Sequence, residues 1–290
     1  MNKNMKKVGL GCTKMIAKVS PITLSKILYK IKFGKPLDLK NPKGFNEKLQ
    51  WLKFNYNNPL VAQCGDKYDM HSYVKSKGCE SVLNEVYGVY RNVSEIDYNK
   101  LPGKFVLKGT HGCGFNIICT NKEMLDIEKT NKLLVKWLKT NYALVWGEVH
   151  YGKMEPKIIV EKFIEGSNEH TLEDYKIFCF DGKPYCTMIC KDRKSGQGKA
   201  QYHYYDKNWK TIDWCNNDAE YTPKPKSFEA MIKYSEILSK GFPFVRMDFY
   251  DTKSGPILGE MTFTPCAALD TDYSVEGERI LGDMIRISNL

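Results

Sequence analysis

The chain predicts an α+β fold, on three observations. Strand-like stretches come in pairs joined by tight turns: 175–180 with 185–190 across Asp181-Gly182, and 244–250 with 257–263 across a turn-rich stretch at 251–256. Helix-period segments stand between these pairs instead of following each strand in turn. No run of βαβ units with short glycine turns appears, which argues against a doubly wound parallel sheet. At 290 residues, with 42% apolar and 12% aromatic side chains, there is enough material for a substantial core.

The first 60 residues carry thirteen lysines against Asp38 and Glu47, so nearly all of the net charge of +10 belongs to this segment. After Pro21, apolar and lysine positions alternate at helical spacing through Phe33, as in an interfacial amphipathic helix or a helix packed on the body. Such a basic segment suits anionic lipid, a polyanionic glycan or nucleic acid. Nucleic acid is set aside, since no helix-turn-helix, ribonucleoprotein motif or zinc finger accompanies it. Lys14 and Lys18 interrupt the early apolar run too soon for a secretory leader, and no stretch of 18 apolar residues exists. The expectation is a cytoplasmic protein, with residues 1–35 available to touch the inner face of the membrane. The ten scattered cysteines include no Cys-x-x-Cys pair and read as free thiols of a reducing compartment.

Beyond Pro36, Asn46 is the expected N-cap of a helix with Leu49, Leu52 and Phe54 on its apolar side. A second helix is expected over 66–78, ended by Gly78. Strands follow at 105–108 and 117–120, a helix at 123–142, and a strand at 158–164. From 174 the chain is mostly strand, broken by a helix at 227–240. Three units are expected: a basic N-terminal segment (1–60), a unit with a glycine-rich flap (61–165), and a unit holding the last hairpin (166–290).

Three segments carry chemistry. In the last hairpin, period 2 places Arg246, Asp248 and Tyr250 on one face and aligns Glu260, Thr262 and Thr264. A turn centred near Ser254 sets Asp248 opposite Glu260. Like charges across a sheet repel, so the pair is either a solvated face or a site for something positive, with Arg246 and a divalent cation as candidates. The second segment, Phe105-Val-Leu-Lys-Gly-Thr-His-Gly-Cys-Gly-Phe-Asn, holds three glycines in six residues between two strands. It is a structural turn or a flap over phosphates; it is neither a Walker A loop nor a dinucleotide fingerprint. The third, Ile158-Ile-Val-Glu-Lys-Phe-Ile, offers backbone groups at Lys162, Phe163 and Ile164 for an adenine edge. Asp174 and Lys176 share a strand face, with Lys191-Asp192-Arg193 after the next strand: acid for a ribose and base for phosphate, or ordinary exposed charge. Trp146 and the stretch 202–209 hold aromatics suited to sugar stacking or core packing.

The order of these segments, Asp66-Lys67, the Lys108 flap, Glu161-Lys-Phe-Ile, Asp174-x-Lys176 and Arg246-x-Asp248 with Glu260-x-Thr262, resembles the ATP-grasp superfamily. Asn41-Pro-Lys-Gly-Phe-Asn-Glu-Lys-Leu-Gln-Trp, Leu101-Pro-Gly-Lys-Phe-Val-Leu-Lys and Gly259-Glu-Met-Thr-Phe-Thr-Pro look like its branch related to the teichuronopeptide biosynthesis protein. The resemblance implies two α+β subdomains clasping ATP. Lys108 and the backbone of His111, Gly112, Cys113 and Gly114 would hold the phosphates. Glu161 and the Lys162–Ile164 hinge would bind adenine, and Asp174 would face the ribose. Lys176 and Arg193 would point toward phosphate. Asp248 and Glu260 would hold Mg2+, with Thr262 where the superfamily commonly has Asn. Arg246 would sit beside the charge developing on an acyl phosphate.

The implied activity is ATP-dependent ligation of a carboxylate to an amine in bacterial capsule or cell-wall polysaccharide synthesis. The substrates would be a uronic-acid-containing glycan or nucleotide sugar, and an amino acid or amino alcohol. A glycosyltransferase using Asp270-Thr-Asp272 and a non-catalytic glycan- or nucleotide-binding protein are the alternatives. The chain departs from the branch at Thr110 and Cys113, and in lacking a glycine within 264–268.

Overall fold

A computed structural model describes residues 10–165, 173–191, 201–214 and 221–289. Two helices open it, α1 (Leu10–Val19) and α2 (Pro21–Phe33). Ser20 caps the second, accepting from Thr23 N–H, and Pro21 fills its first turn. Helix α3 (Phe45–Asn55) begins one residue before the expected cap. Glu47 reaches back to the N–H groups of Lys43 and Gly44. Asn46 is buried and instead bonds Asp270 O and the Glu278 carboxylate, a tertiary use that overrides its capping preference.

The helix expected over 66–78 is the shorter α5 (Met70–Ser76), and a helix that was not expected, α4 (Pro59–Gly65), precedes it. The break between them is made by buried Asp66, whose Oδ1 accepts from the N–H groups of Tyr68 and Asp69, both at 2.9 Å. An aspartate that satisfies its own downstream amides stabilises a turn at the expense of a helix. It thereby throws Lys67 out of helical register.

The first sheet has the order β1 (Val86–Tyr90), β4 (Ile158–Lys162), β2 (Phe105–Gly109) and β3 (Asn116–Cys119), all antiparallel. Edge strand β1 was not expected from the sequence; all of its residues are half-buried, and it lacks clean alternation. Helices α6 (Ile127–Leu138) and α7 (Ala143–Trp146) lie between β3 and β4 in the chain. Phe105, Leu107, Ile158 and Val160 pack with Leu134 and Trp137 of α6 on one face. Period 2 therefore turns Val106, Lys108, Ile159 and Glu161 to the other face.

The second sheet runs β7 (Gln201–Asp206), β6 (Lys183–Lys191), β5 (Asp174–Phe180), β8 (Phe244–Thr252), β9 (Gly255–Thr262), again antiparallel. Its two faces build two cores. Tyr175, Ile177, Val245, Met247 and Phe249 pack with α5 and with α8 (Phe228–Leu238). Phe178, Phe180 and Phe244 pack with Phe45 and Leu49 of α3 and with Leu281 of α9 (Val275–Asp283). On this second face, the same alternation that buries Phe178, Phe180 and Phe244 at one end of the strands places Lys176, Arg246 and Asp248 at the other. Tyr204 and Tyr205 are core residues, Tyr205 stacked on Trp209 at 4.4 Å, so sugar stacking does not fall to them.

After β9 the chain makes a left-handed turn in which Cys266, Ala267 and Ala268 have φ of 50°, 58° and 57°. This is where the sequence lacks an expected glycine. Buried Gln50 donates to the carbonyls of Ala267 (3.1 Å) and Ala268 (3.0 Å) and holds the turn. Each non-glycine residue in this region costs about 1–2 kcal/mol, against about 0.5–1 kcal/mol for the extra freedom glycine gives the unfolded chain. Cys266 is exposed, so Cys266→Gly loses little packing. It is expected to raise stability to urea by about 0.5–1 kcal/mol; a loss would mean the thiol, not the backbone, matters at this turn.

Candidate active site

The chemistry collects where the two sheets approach, and the last hairpin is its base. Thr252 pairs with Gly255, so the turn is two residues, tighter than the sequence suggested. A bulge at Gly259 shifts the register between Phe249 and Asp248, and this shift carries Asp248 opposite Glu260 and Arg246 opposite Thr262. Strand β5 extends this row, with Lys176 opposite Asp248. Lys176, Asp248 and Glu260 thus lie abreast on three adjacent strands.

Asp248 is buried and fully engaged. Arg246 grips it with two bonds of 2.7 Å, from Nε and Nη2, and Lys176 Nζ donates to it at 2.7 Å. Burial works against the Asp248 charge, but Arg246 and then Lys176 outweigh it and hold its pKa below the ordinary carboxylate value. Lys176, itself 2% exposed, also donates to Asp174 at the start of β5. Arg246 Nη2 donates weakly to Thr262 Oγ1 at 3.4 Å.

Lys67, offered by the Asp66 turn, lies across from this row. Its Nζ donates to Glu260 at 3.2 Å and to the Gly112 carbonyl at 2.7 Å, linking the hairpin to the glycine-rich loop. Lys67 was part of the resembling motif order but was not among the expected site residues; only its Asp-Lys context signalled it.

The loop itself is fixed at its base and open at its tip. Gly109 N–H donates to Phe115 O, and Thr110 N–H donates to Lys157 O. His111 is buried, its Nε2 within 3.0 Å of Trp137 O, so its ring faces α6 and only its backbone can serve the cleft. A Cβ on Gly112 would stand 2.7 Å from the Tyr142 ring, whereas Gly114 has φ of +75° with open space around it. Gly112 is therefore set by packing and Gly114 by backbone conformation. Cys113 is exposed at the tip.

On the first sheet, Lys108 Nζ donates to Glu161 at 2.6 Å, both side chains largely buried. Beyond Glu161 the hinge is partly spoken for. Lys162 N–H donates to Glu85 O, and its carbonyl accepts from Asn84 Nδ2, which narrows the backbone on offer to a base edge toward Phe163 and Ile164. Arg193 lies outside the described residues.

Near Glu260, on a side the sequence did not flag, Glu148 accepts from Thr264 Oγ1 at 2.6 Å. Burial raises the Glu148 pKa, and burial lowers that of Lys53, whose Nζ donates to Ser25. Burial also pushes the neighbouring His150 imidazole down to about 3, with help from Lys53. Between pH 6.5 and about 3 the unfolded imidazole binds a proton that the folded one refuses. The stability due to neutral His150 is thus complete above about pH 6.5 and is lost as pH falls, with a slope of up to about 1.4 kcal/mol per pH unit. His150→Gln is expected to flatten the acid limb of a urea-unfolding pH profile. Parallel limbs for variant and wild type would contradict this.

The donor set also admits a hard cation. Mg2+ keeps several waters and takes one or two protein carboxylates together with substrate phosphates. Asp248 and Glu260, directly opposite on paired strands, offer such a pair, and the Thr262 hydroxyl lies beside Arg246. Lys67, Lys108, Lys176 and Arg246 are each bonded to a carboxylate here and would meet phosphate oxygens in exchange. Asp270, by contrast, is tied into its own turn: its Oδ1 accepts from Asp272 N–H, and its N–H donates to Asn46. The Asp-x-Asp reading thus has a structural explanation.

Two antiparallel sheets meeting at a glycine-rich flap, a lysine–glutamate pair and a carboxylate hairpin make this an ATP-grasp protein. The chain belongs to the TupA-like ATP-grasp family, whose model matches residues 47–286. No curated protein matches significantly. Among solved structures, D-alanine–D-alanine ligase from Bacillus anthracis is 16% identical with a TM-score of 0.45, over 78% of this chain and 68% of that one. D-cycloserine synthetase DcsG is 14% identical (TM-score 0.43; 78% and 70%). The ATP-grasp ligase PsnB, complexed with minimal precursor, Mg and ADP, is 12% identical (TM-score 0.44; 83% and 65%). The chain spans about two thirds of the length of these structures.

Proposed function

We propose that the protein is an ATP-dependent carboxylate–amine ligase that amidates a uronic-acid carboxylate, on a glycan or nucleotide sugar, with an amino acid or amino alcohol in capsule or cell-surface polysaccharide synthesis. The observation that carries the ligase reading is the row Lys176, Asp248, Glu260, flanked by Arg246 and Lys67. Membership of the ATP-grasp family supports it. The acceptor and the amine rest on the resemblance to the teichuronopeptide branch.

In this reading a substrate carboxylate oxygen attacks the γ-phosphorus of ATP, and ADP leaves. The amine nitrogen then attacks the acyl carbon, phosphate leaves, and the nitrogen loses a proton. Mg2+, when bound by Asp248 and Glu260, neutralises phosphate charge. Lys108, Lys176 and the flap backbone from His111 to Gly114 hold the phosphates. Glu161 and the hinge receive adenine, and Asp174 receives the ribose. Arg246, exchanging its bonds to Asp248 for phosphate oxygens, stabilises charge on the acyl phosphate and its tetrahedral adduct. Positioning and electrostatics supply the rate, and no protein nucleophile is required. Residues 61–165 then carry the flap, and residues 166–290 the metal hairpin.

The test is phosphate release from ATP across uronic acids and an amino-acid panel, with the amide sought by mass spectrometry. Release that requires both a carboxylate and an amine is expected. Consumption of a nucleotide sugar without ATP would favour the glycosyltransferase, and nucleotide binding without turnover under any pairing would favour a binding protein.

A further inference from the structure

The first two helices show a pattern that the ligase reading does not use. Their inner sides are committed to the body: Ala17, Leu24, Leu28 and Tyr29 pack against Leu37, Ala267 and Leu269. Their outer sides repeat one dipeptide four times, a lysine followed by an aliphatic residue: Lys14-Met15, Lys18-Val19, Lys26-Ile27 and Lys30-Ile31. Within each helix the repeats stand four residues apart. Each therefore presents a row of lysine beside a row of aliphatic side chains. Met15 is 72% exposed, Val19 89% and Ile31 45%. Among the described residues, five of the thirteen large hydrophobic side chains that are exposed fall between residues 15 and 31, so this is a patch and not scatter.

Charge identifies the occupant. Residues 1–37 contain nine lysines and no aspartate or glutamate. Protein interfaces are depleted in lysine and enriched in aromatic residues and arginine, none of which stands on this outer face. Aliphatic side chains bordered by lysine are instead the composition of a helix lying in the headgroup boundary of an anionic bilayer, with lysine stems reaching outward. We propose that the outer face of α1 and α2 docks the protein on an anionic membrane surface. The helices lie flat on it, and no helix among the described residues is long and apolar enough to cross. The inner side of the same helices packs on Ala267 of the strained turn that follows β9. Docking thus places the lipid surface one helix layer from the end of the carboxylate hairpin, where an acceptor carried on a lipid can be presented.

Co-sedimentation of the full chain with vesicles tests this, using equal parts phosphatidylglycerol and phosphatidylcholine against phosphatidylcholine alone. Each lysine at an anionic surface is worth about fivefold in binding. Wild type is expected to pellet only with the anionic vesicles and to be released by salt. The variant with Lys14, Lys18, Lys26 and Lys30 changed to Gln is expected to bind at least about tenfold more weakly. The variant with Met15, Val19, Ile27 and Ile31 changed to Gln is expected to lose binding likewise, with melting temperatures unchanged in both. Equal sedimentation of wild type and either variant overturns the proposal. So does wild type that stays in the supernatant while the aliphatic variant converts a dimer to a monomer. The readout is independent of ATP turnover, so failure here leaves the ligase reading untouched.

Discussion

Glu260→Gln is expected to remove Mg2+-dependent ATP turnover, by about a hundredfold to a thousandfold or more, while the protein stays folded. The magnitude is that of deleting one preorganised electrostatic contact to the reacting phosphates. Retention of the fold follows from position: the Glu260 side chain is 24% exposed, and Lys67, which donates to it, keeps the Gly112 carbonyl. Asp248→Asn is expected to abolish turnover as well, but at a different structural cost. Asp248 is the common partner of Arg246 and Lys176, all three buried, and breaking a buried ion network on one side costs about 3–5 kcal/mol. The two variants therefore separate chemistry from stability. Phosphate release and a thermal melt on both are the measurement. Wild-type turnover in Glu260→Gln would remove the hairpin from the metal assignment.

Lys67→Met is expected to lower kcat/KM for ATP by about a hundredfold, because a cation that ties the flap to the carboxylate hairpin is lost where phosphate charge must be met. The fold should tolerate it, since the methionine can follow the same apolar stem and Glu260 can reach solvent. Lys67→Arg provides a second arm. It keeps the charge but changes the donor geometry at the Gly112 carbonyl, and partial activity is expected. If Lys67→Met matched wild type, the lysine would be a structural strut between the hairpin and the loop.

Much of the fold was legible because its rules are local. Alternation in 244–250 and 257–263 sets Arg246, Asp248 and Glu260 on one face, but the two-residue turn continued without interruption would pair Asp248 with Gly259; a one-residue shift of register between Phe249 and Asp248 is what sets Asp248 against Glu260. The glycine-rich loop between two strands was legible from glycine spacing, though not the separate reasons for Gly112 and Gly114. The misreadings were also physical. Asn46 has the composition of a cap, yet it is drawn into tertiary bonds with Asp270 and Glu278. Asp66 makes a turn where a helix was expected to begin, so that helix starts only at Met70. Strand β1 carries no periodic signal because both its faces are half-buried.

By itself, the sequence determined the α+β class, the carboxylate hairpin and its face, the glycine-rich loop and the uneven charge. Each depends on residues close in the chain, or on a pattern that one segment carries alone. Tertiary structure decided that Lys67 reaches Glu260 across a separation of 193 residues, and that His111 turns its ring away from the cleft. It also decided that Glu148 and Lys53 are buried, with Glu148 near Glu260. Those facts depend on which faces of separate elements meet. A charge gains its role only from the opposite charge that packing brings within hydrogen-bond reach, and no local pattern encodes that distance.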